Sequence, residues 1–425
     1  MNQVNTASDK PTVLILGGGF GGVGAARKLA KAEANVVLVD RNDYHTFQPM
    51  LYQVATDLIA DTVVAHPLRD LFQGQENLDV HQASATSVDL AAGKVEFDDI
   101  PPLEFDYLVL AVGAQANFFG VDGAAEHSFP MYTLGDAVRL KEHVLKRWEA
   151  ADRDPSLVDD GALNVVVVGG GATGVECVGA FNELYKSDFA KDYPKLPTEA
   201  ARLTLVEAGP SLFAMFEPDI QEYTSETLGA WGVEQLTGET VTSISANSVA
   251  LASGRELKAQ TVIWGAGLEA RPLAASLGVG LQPGGRVPVG SNLAVEGHPE
   301  AYAVGDLAWI ADDEAETALP QLGSVALQAG EHAGENIARR IEGKPERPFS
   351  YHDKGTMATI GPGAAVIQMP HGRTIKGKTA WLAWGAVHLA LLSTGEDRAK
   401  AMLNWTWAGF TRERSGRIVV DEAAE

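Results

Sequence analysis

Two stretches of this 425-residue chain combine glycines at the spacing G-x-G-x-x-G with an acidic residue further on. In TVLILGGGFGG the glycines are Gly17, Gly19 and Gly22, and the acid is Asp40 at the end of VVLVD. In NVVVVGGGATGVECVG they are Gly169, Gly171 and Gly174, and the acid is Glu207 at the end of LTLVE. The spacing suits phosphate chemistry. The first glycine makes a tight turn, the second lets backbone approach a pyrophosphate, and the third lets helix pack close on strand. Phosphates then sit at a helix N-terminus, where free N–H groups and the helix dipole favour negative charge. Asp40 lies near the usual gap of about 20 residues, and Glu207 lies further off, beyond an insertion near Ser187 to Thr198. Either acid suits a ribose hydroxyl. One glycine loop alone is weak evidence; two complete units point to two dinucleotides, a flavin and a nicotinamide, with hydride passing between them.

Composition narrows the chemistry. There is one cysteine, Cys177, so a redox-active cysteine pair is not available within the chain. Cys177 reads as a small buried helix residue. The ten histidines show no metal-ligand spacing, and no metal site is expected. A net charge of −23 argues against nucleic acid as a partner. A hydrophobic content of 45% supports real cores in two or three domains. No signal peptide is visible, and no run reaches the roughly 18 apolar residues of a spanning helix.

The elements that must position these groups repeat. Val13–Leu16 and Val165–Val168 read as buried parallel strands, each followed by a glycine turn and a helix. DYLVLAVG, ending at Gly113, and TVIWGAG, with Gly265 and Gly267, read as later strands of the two units. A helix is expected over Leu58–Leu71, with short strands from Asp79 to Val95. AYAVGD ends a further strand at Asp306, a position that suits a returning flavin-domain segment, a helix N-cap, or both. A helix is expected from Ser324 to Arg340. The fold class is therefore α/β, with two Rossmann-like dinucleotide-binding domains and a C-terminal amphipathic helical region. The expected boundaries are 1–118 and 296–375 for a split FAD domain, 119–295 for a connector and inserted NADH domain, and 376–425 for the C-terminal region.

YHTFQPMLYQVA, GGGATGVE, AYAVGD and YHDKGTMATIG, with AWLAW and NWTW near the end, resemble the single-subunit, type II NADH:quinone oxidoreductases. The matches run from Val13 to Phe410. The resemblance implies non-covalent FAD, NADH as donor, a quinone as acceptor, no proton pumping, and a peripheral place on the cytoplasmic face of the cell membrane. It implies an FAD site at Gly17, Gly19, Phe20, Gly21, Gly22, Asp40, Arg41, Gln48, Gly113 and Asp306. It implies an NADH site at Gly169, Gly171, Thr173, Gly174, Glu207, Gly265 and Gly267. Glu176 is either a carboxylate favoured by the helix dipole or a proton-handling group. Gln328 is either a helix-surface amide or a quinone-side residue, and Lys354 either a solvated lysine or a cation near the flavin. His332 reads as a satisfied histidine. The chain departs from the family pattern at Ser324, at Pro362 and in the acidic segment Ser393–Asp397. A soluble NADH-dependent reductase with another acceptor and a redox-sensing binding protein are the competing readings.

The last two helices, WLAWGAVHLALL and AKAMLNWTWAGF, hold four of the eight tryptophans. From Arg373 to Arg417 there are eight Lys/Arg against three Asp/Glu, reversing the sign of the whole chain. Basic flanks on apolar, tryptophan-bearing helices suit a membrane surface. Lys376, Lys378, Arg412, Arg414 and Arg417 are the expected headgroup contacts. A homodimer face is the competing reading.

Overall fold

The structure is a computed structural model and describes residues 10–312, 317–411 and 414. The helices that bear on the site are α1 (Phe20–Lys28), α2 (Leu51–Ala55), α3 (Leu134–Arg153), α4 (Ala172–Leu184), α5 (Gly323–Ile341), α6 (Lys378–Leu391) and α7 (Gly395–Thr411). The chain packs as two units: 1–46, 65–115 and 268–352 in the first, and 47–64, 116–267 and 353–425 in the second. Residues 268–295, grouped with the inserted domain on sequence grounds, pack in the first unit. Residues 47–64 and 353–375, grouped with the split domain, pack in the second.

In the first unit the strand Thr12–Leu16 is central. It pairs in parallel with Asn35–Asp40 on one side and Tyr107–Leu110 on the other, Leu14 facing Val37 and Leu108. Leu78–Gln82 and His298–Ala303 extend the sheet on the two sides. Val13 to Leu16 are wholly buried, as a parallel strand covered on both faces requires. The strand order reverses about Thr12–Leu16, so its C-terminal end is a topological switch point, where α/β sheets bind ligands. The Gly17 loop begins there.

The second unit repeats the device. Val165–Val168 pairs in parallel with Leu203–Glu207 and Thr261–Trp264, Val167 facing Leu205 and Ile263. Glu234–Thr237 and Phe129–Pro130 close the two sides. A second, antiparallel sheet of Thr356–Gly361, Ala364–Gln368 and Thr374–Gly377 carries α6 on its C-terminal end. Pro362 sits at the tip of its first hairpin, followed by Gly363 at φ +70°, the Pro-Gly order of a tight turn.

One helix differs from expectation. Leu58–Leu71 is broken into Asp61–Val64, a strand Ala65–Pro67 and Leu68–Leu71. Pro67 has no N–H for a helical bond, and the strand pairs with Tyr44–Thr46. The insertion after α4 forms a π-turn, Tyr185–Phe189, and a short helix, Ala190–Asp192. The acidic segment before α7 is a capping box: Asp397 Oδ2 accepts from the Thr394 N–H and hydroxyl, and Thr394 Oγ1 accepts from the Asp397 N–H.

Candidate functional site

Each glycine loop is built the same way from its own unit. Neither α1 nor α4 has a side-chain cap at its N-terminus; the caps are Gly19 and Gly171. A Cβ on Gly19 or Gly171 would meet no protein atom within 4 Å. A Cβ on Gly22 or Gly174 would instead collide with the carbonyl oxygen of Gly17 or Gly169, so the third glycine is required by the turn itself. The strand-end acids grip their loops. Asp40 Oδ2 accepts from the Gly18 N–H at 2.6 Å and Oδ1 from the Asn42 N–H at 2.7 Å. Glu207 Oε2 accepts from the Gly170 N–H and Oε1 from the Gly209 N–H, each at 2.5 Å. Every carboxylate oxygen keeps a lone pair for a ribose hydroxyl. Burial raises the Asp40 carboxyl, with the Gly18 and Asn42 N–H groups opposing.

The first loop has a support that its spacing does not announce. His45 is buried beneath it and its Nδ1 lies 2.8 Å from the Gly18 carbonyl oxygen, so Nδ1 carries the proton. Burial lowers the His45 pKa, with the bond to the Gly18 carbonyl opposing. Phe20 packs edge-on against that ring at 5.2 Å. Gly21 faces α5, where a Cβ on Gly330 would strike its backbone; packing alone explains it. Asp306 lies in the 3-10 turn Gly305–Leu307, while α5 is capped at Leu322, so the N-cap reading of Asp306 fails. Gly113 follows its strand at φ +70°, and Arg41 is exposed.

Gln328, on α5, clamps a backbone: Nε2 donates to the His352 carbonyl at 3.1 Å and Oε1 accepts from the His352 N–H at 3.0 Å. Ser324 Oγ and Tyr351 Oη lie 3.0 Å apart, a second pin on the same segment. His332 Nε2 is held at 2.9 Å from the Arg347 carbonyl, a satisfied histidine as expected.

In the second unit Thr173 packs beside Gly265, and Gly267 lies under the Phe119 ring. Gln48 donates to the Tyr132 carbonyl at 3.0 Å. Lys354 is exposed in the loop before Thr356. Glu176 is half-buried in the first turns of α4. Its Oε1 accepts from the Thr359 N–H at 3.2 Å. That contact exists because Gly179, one turn on, lets α4 press on the Ile360 carbonyl; any Cβ there would collide. Loss of hydration pushes the Glu176 carboxyl up to about 8, with the Thr359 N–H pulling it down. It is thus mostly protonated at neutral pH, a carboxyl that can give or take a proton there. Cys177 is buried and its thiol is pushed up, which makes it unreactive.

The C-terminal helices present Leu382, Leu391, Met402, Leu403, Trp407 and Phe410 to the outside, while Trp384, Leu392 and Ala401 are buried. Two expected headgroup contacts are otherwise engaged. Lys376 pairs with Asp219 at 2.9 Å. Arg414 is buried against Glu183 at 3.0 Å and Asp188 at 3.4 Å, and donates to the Thr56 carbonyl at 2.5 Å. Lys378 is exposed; Arg412 and Arg417 lie outside the described residues. Among the described residues no helix is long and apolar enough to cross a membrane.

Residues 11–330 match the family model described as pyridine nucleotide-disulphide oxidoreductase. The type II NADH:quinone oxidoreductase Ndh of Mycobacterium tuberculosis is 31% identical across 97% of this chain and 91% of its own length. The chain belongs to the type II NADH:quinone oxidoreductases. A relative of that name from Staphylococcus saprophyticus is 29% identical over 88% of this chain and 93% of its own. The solved structure of NDH2 from Plasmodium falciparum in complex with NADH shares the fold at TM-score 0.87 and 19% identity, covering 97% of this chain and 100% of that one. The sulfide:quinone oxidoreductase of Aquifex aeolicus shares it at TM-score 0.74 and 18% identity, over 95% of this chain and 96% of that one. The fold alone therefore does not select the electron donor. Membership of the type II NADH:quinone oxidoreductases bears out the expected fold class and the reading as an FAD-dependent oxidoreductase.

Proposed function

We propose that this enzyme passes electrons from NADH, by way of bound FAD, to a membrane quinone without pumping protons. The observation that carries this reading is the pair of uncapped glycine-loop helices, each at a switch point and each with a strand-end acid, in a chain of this family. FAD, when bound, supplies the two-electron relay between a hydride donor and a quinone. The chain supplies placement. The Gly17–Gly22 loop, Phe20, Asp40, Arg41, Gly113 and Asp306 hold FAD. The Gly169–Gly174 loop, Thr173, Glu207, Gly265 and Gly267 hold NADH. Glu176 holds a proton for the quinone step. Gln328 serves that step by fixing the His352 segment that leads to Lys354.

Native protein should purify with flavin, NADH should bleach its visible band, and a short-chain quinone should restore it. Asp306→Ala lowers flavin content several-fold while the second unit keeps its fold by circular dichroism. A native preparation that cannot be loaded with flavin overturns the whole reading.

NADH is preferred to NADPH. Glu207 is fixed by two backbone N–H groups and would repel a 2′-phosphate, and Ala208, Gly209 and Pro210 offer no cation. A ratio of specificity constants of roughly tenfold requires only about 1.4 kcal/mol. Glu207→Gln narrows that ratio by removing the charge. Equal constants in the unmodified enzyme show that Glu207 has no such role.

The exposed apolar side chains of α6 and α7 support a peripheral place for the enzyme on the cytoplasmic face of the membrane. A homodimer through that face is the alternative outcome of the same measurements.

A further inference from the structure

From Trp405, inside helix α7, a series of hydrogen bonds leads toward Glu176. Trp405 Nε1 donates to Gln53 Oε1 at 2.8 Å. Gln53 Nε2 donates to Tyr52 Oη at 3.0 Å. Tyr52 Oη lies 3.1 Å from Thr359 Oγ1, and the Thr359 N–H meets Glu176. Tyr52, Gln53 and Thr359 are all buried. The direction of the chain is fixed at its outer end. An indole N–H can only donate, so Gln53 must present its carbonyl oxygen to Trp405. Its NH2 group then faces Tyr52, whose oxygen accepts. Tyr52 Oη and Thr359 Oγ1 share the next bond, which either hydroxyl can donate. Each link enforces the next, because a buried amide or phenol without its partner costs about 1–3 kcal/mol.

We infer that Trp405, Gln53, Tyr52 and Thr359 are positioning residues, a chain through which helix α7 holds the peptide N–H that meets the Glu176 carboxyl. The inference rests on the proposed proton-handling role of Glu176. Its chemistry is simple. An N–H aimed at a carboxyl favours the ionised form, opposing the loss of hydration. A chain that keeps Thr359 in place therefore keeps the proton on Glu176 exchangeable near neutral pH. Aromatic packing supports the same geometry: Trp384 stacks on His388 at 4.0 Å and lies 6.1 Å from Trp405 and 6.5 Å from Tyr52.

The groups around Glu176 do not titrate in the same range. Tyr52 and Cys177 interact with it, and burial raises both. The strand Thr356–Gly361 brings no titratable side chain, α2 brings only Tyr52, and Leu203–Glu207 brings Glu207 at its far end.

The test is an infrared titration of the protonated carboxyl band in the flavin-loaded enzyme, the band being assigned by its loss in Glu176→Gln. Tyr52→Phe, Trp405→Phe and Thr359→Val each raise the Glu176 midpoint by about half a pH unit or more. Thr359→Ser, which keeps both the hydroxyl and the N–H, leaves it in place. The Tyr52→Phe, Trp405→Phe double variant shifts no further than Tyr52→Phe alone, because both cut the same chain. Flavin content and circular dichroism check that each variant is folded, and Trp405→Phe, at a half-buried position, is the mildest. A midpoint unmoved in Trp405→Phe, or strictly additive shifts, overturns the inference. A Glu176 carboxyl that stays ionised from pH 6 to 9 in the unmodified enzyme overturns instead the proton-handling role on which it rests.

Discussion

A variant carrying Leu382→Gln, Leu403→Gln, Trp407→Gln and Phe410→Gln loses most of its binding to liposomes and most of its activity with a long-chain quinone. These side chains are 64%, 70%, 56% and 88% exposed, so replacing them disturbs little packing inside the protein. Fully burying such a side chain contributes about 1.5–3 kcal/mol. Partial immersion of four of them in a lipid surface still amounts to a tenfold or larger change in binding. Helix α6, with 14 residues, is about 21 Å long and α7, with 17, about 25 Å, both short of the roughly 30 Å hydrocarbon core. Neither is long enough to cross it, so the proposed contact is along a lipid surface. Flotation with anionic and neutral liposomes measures the binding, and a water-soluble quinone serves as the control substrate, with unchanged activity. Because Lys376 and Arg414 are already paired, the salt dependence of binding is weaker than the local charge count implies. A full-length enzyme that ignores liposomes, together with a dimer that the four changes break, makes this a subunit interface. Truncation at Ile375 is a poorer test, since it also strips the buried Trp384, Leu392 and Ala401 from the second unit.

Glu176→Gln slows quinone reduction tenfold or more while NADH still bleaches the flavin at close to the normal rate in stopped flow. On the proposed role, the unmodified enzyme should reduce quinone fastest where Glu176 carries its proton, with the rate falling as pH rises through about 8. In the variant that alkaline limb disappears. Stability moves with the same group. The folded pKa lies above the ordinary carboxyl value, so the native state holds the extra proton. Stability therefore declines as pH rises from the ordinary value near 4.5 through about 8. The melting temperature of the Gln variant matches that of the parent at low pH, exceeds it increasingly up to about pH 8, and keeps a constant lead above that. A profile identical in both proteins shows that Glu176 neither gives nor takes the proton.

The two glycine loops, their strands and their acids were legible because each rests on local rules. A fully buried parallel strand is a run of β-branched residues, and a tight phosphate loop needs glycine at fixed offsets. The Glu176 setting was only half legible. Its place in the first turns of a helix could be read, but its partner Thr359 lies 183 residues away, and Trp405 reaches Gln53 across 352. Such pairings are decided by tertiary packing, here by Gly179 meeting the strand at Ile360. A polar Gln53 inside LYQVA was the one local hint, since an amide among apolar neighbours must find partners. Charge counting failed for a related reason. It registered Lys376 and Arg414 as surface cations, yet a count does not distinguish a solvated lysine from one paired with Asp219, or a tail arginine from a buried one.

The burial of Arg414 bears on how this protein should be handled at the bench. Its guanidinium sits against Glu183, Asp188 and the Thr56 carbonyl, with only 3% of the side chain exposed. Exopeptidase trimming or a recombinant end placed just before this arginine would remove the cation from the buried Asp188 carboxylate and from the partly exposed Glu183. Breaking a buried pair in that way costs about 3–5 kcal/mol. Carboxypeptidase digestion should therefore slow markedly on reaching Arg414. Expression ends that retain it should melt higher than those that stop at Thr411, whichever tag follows.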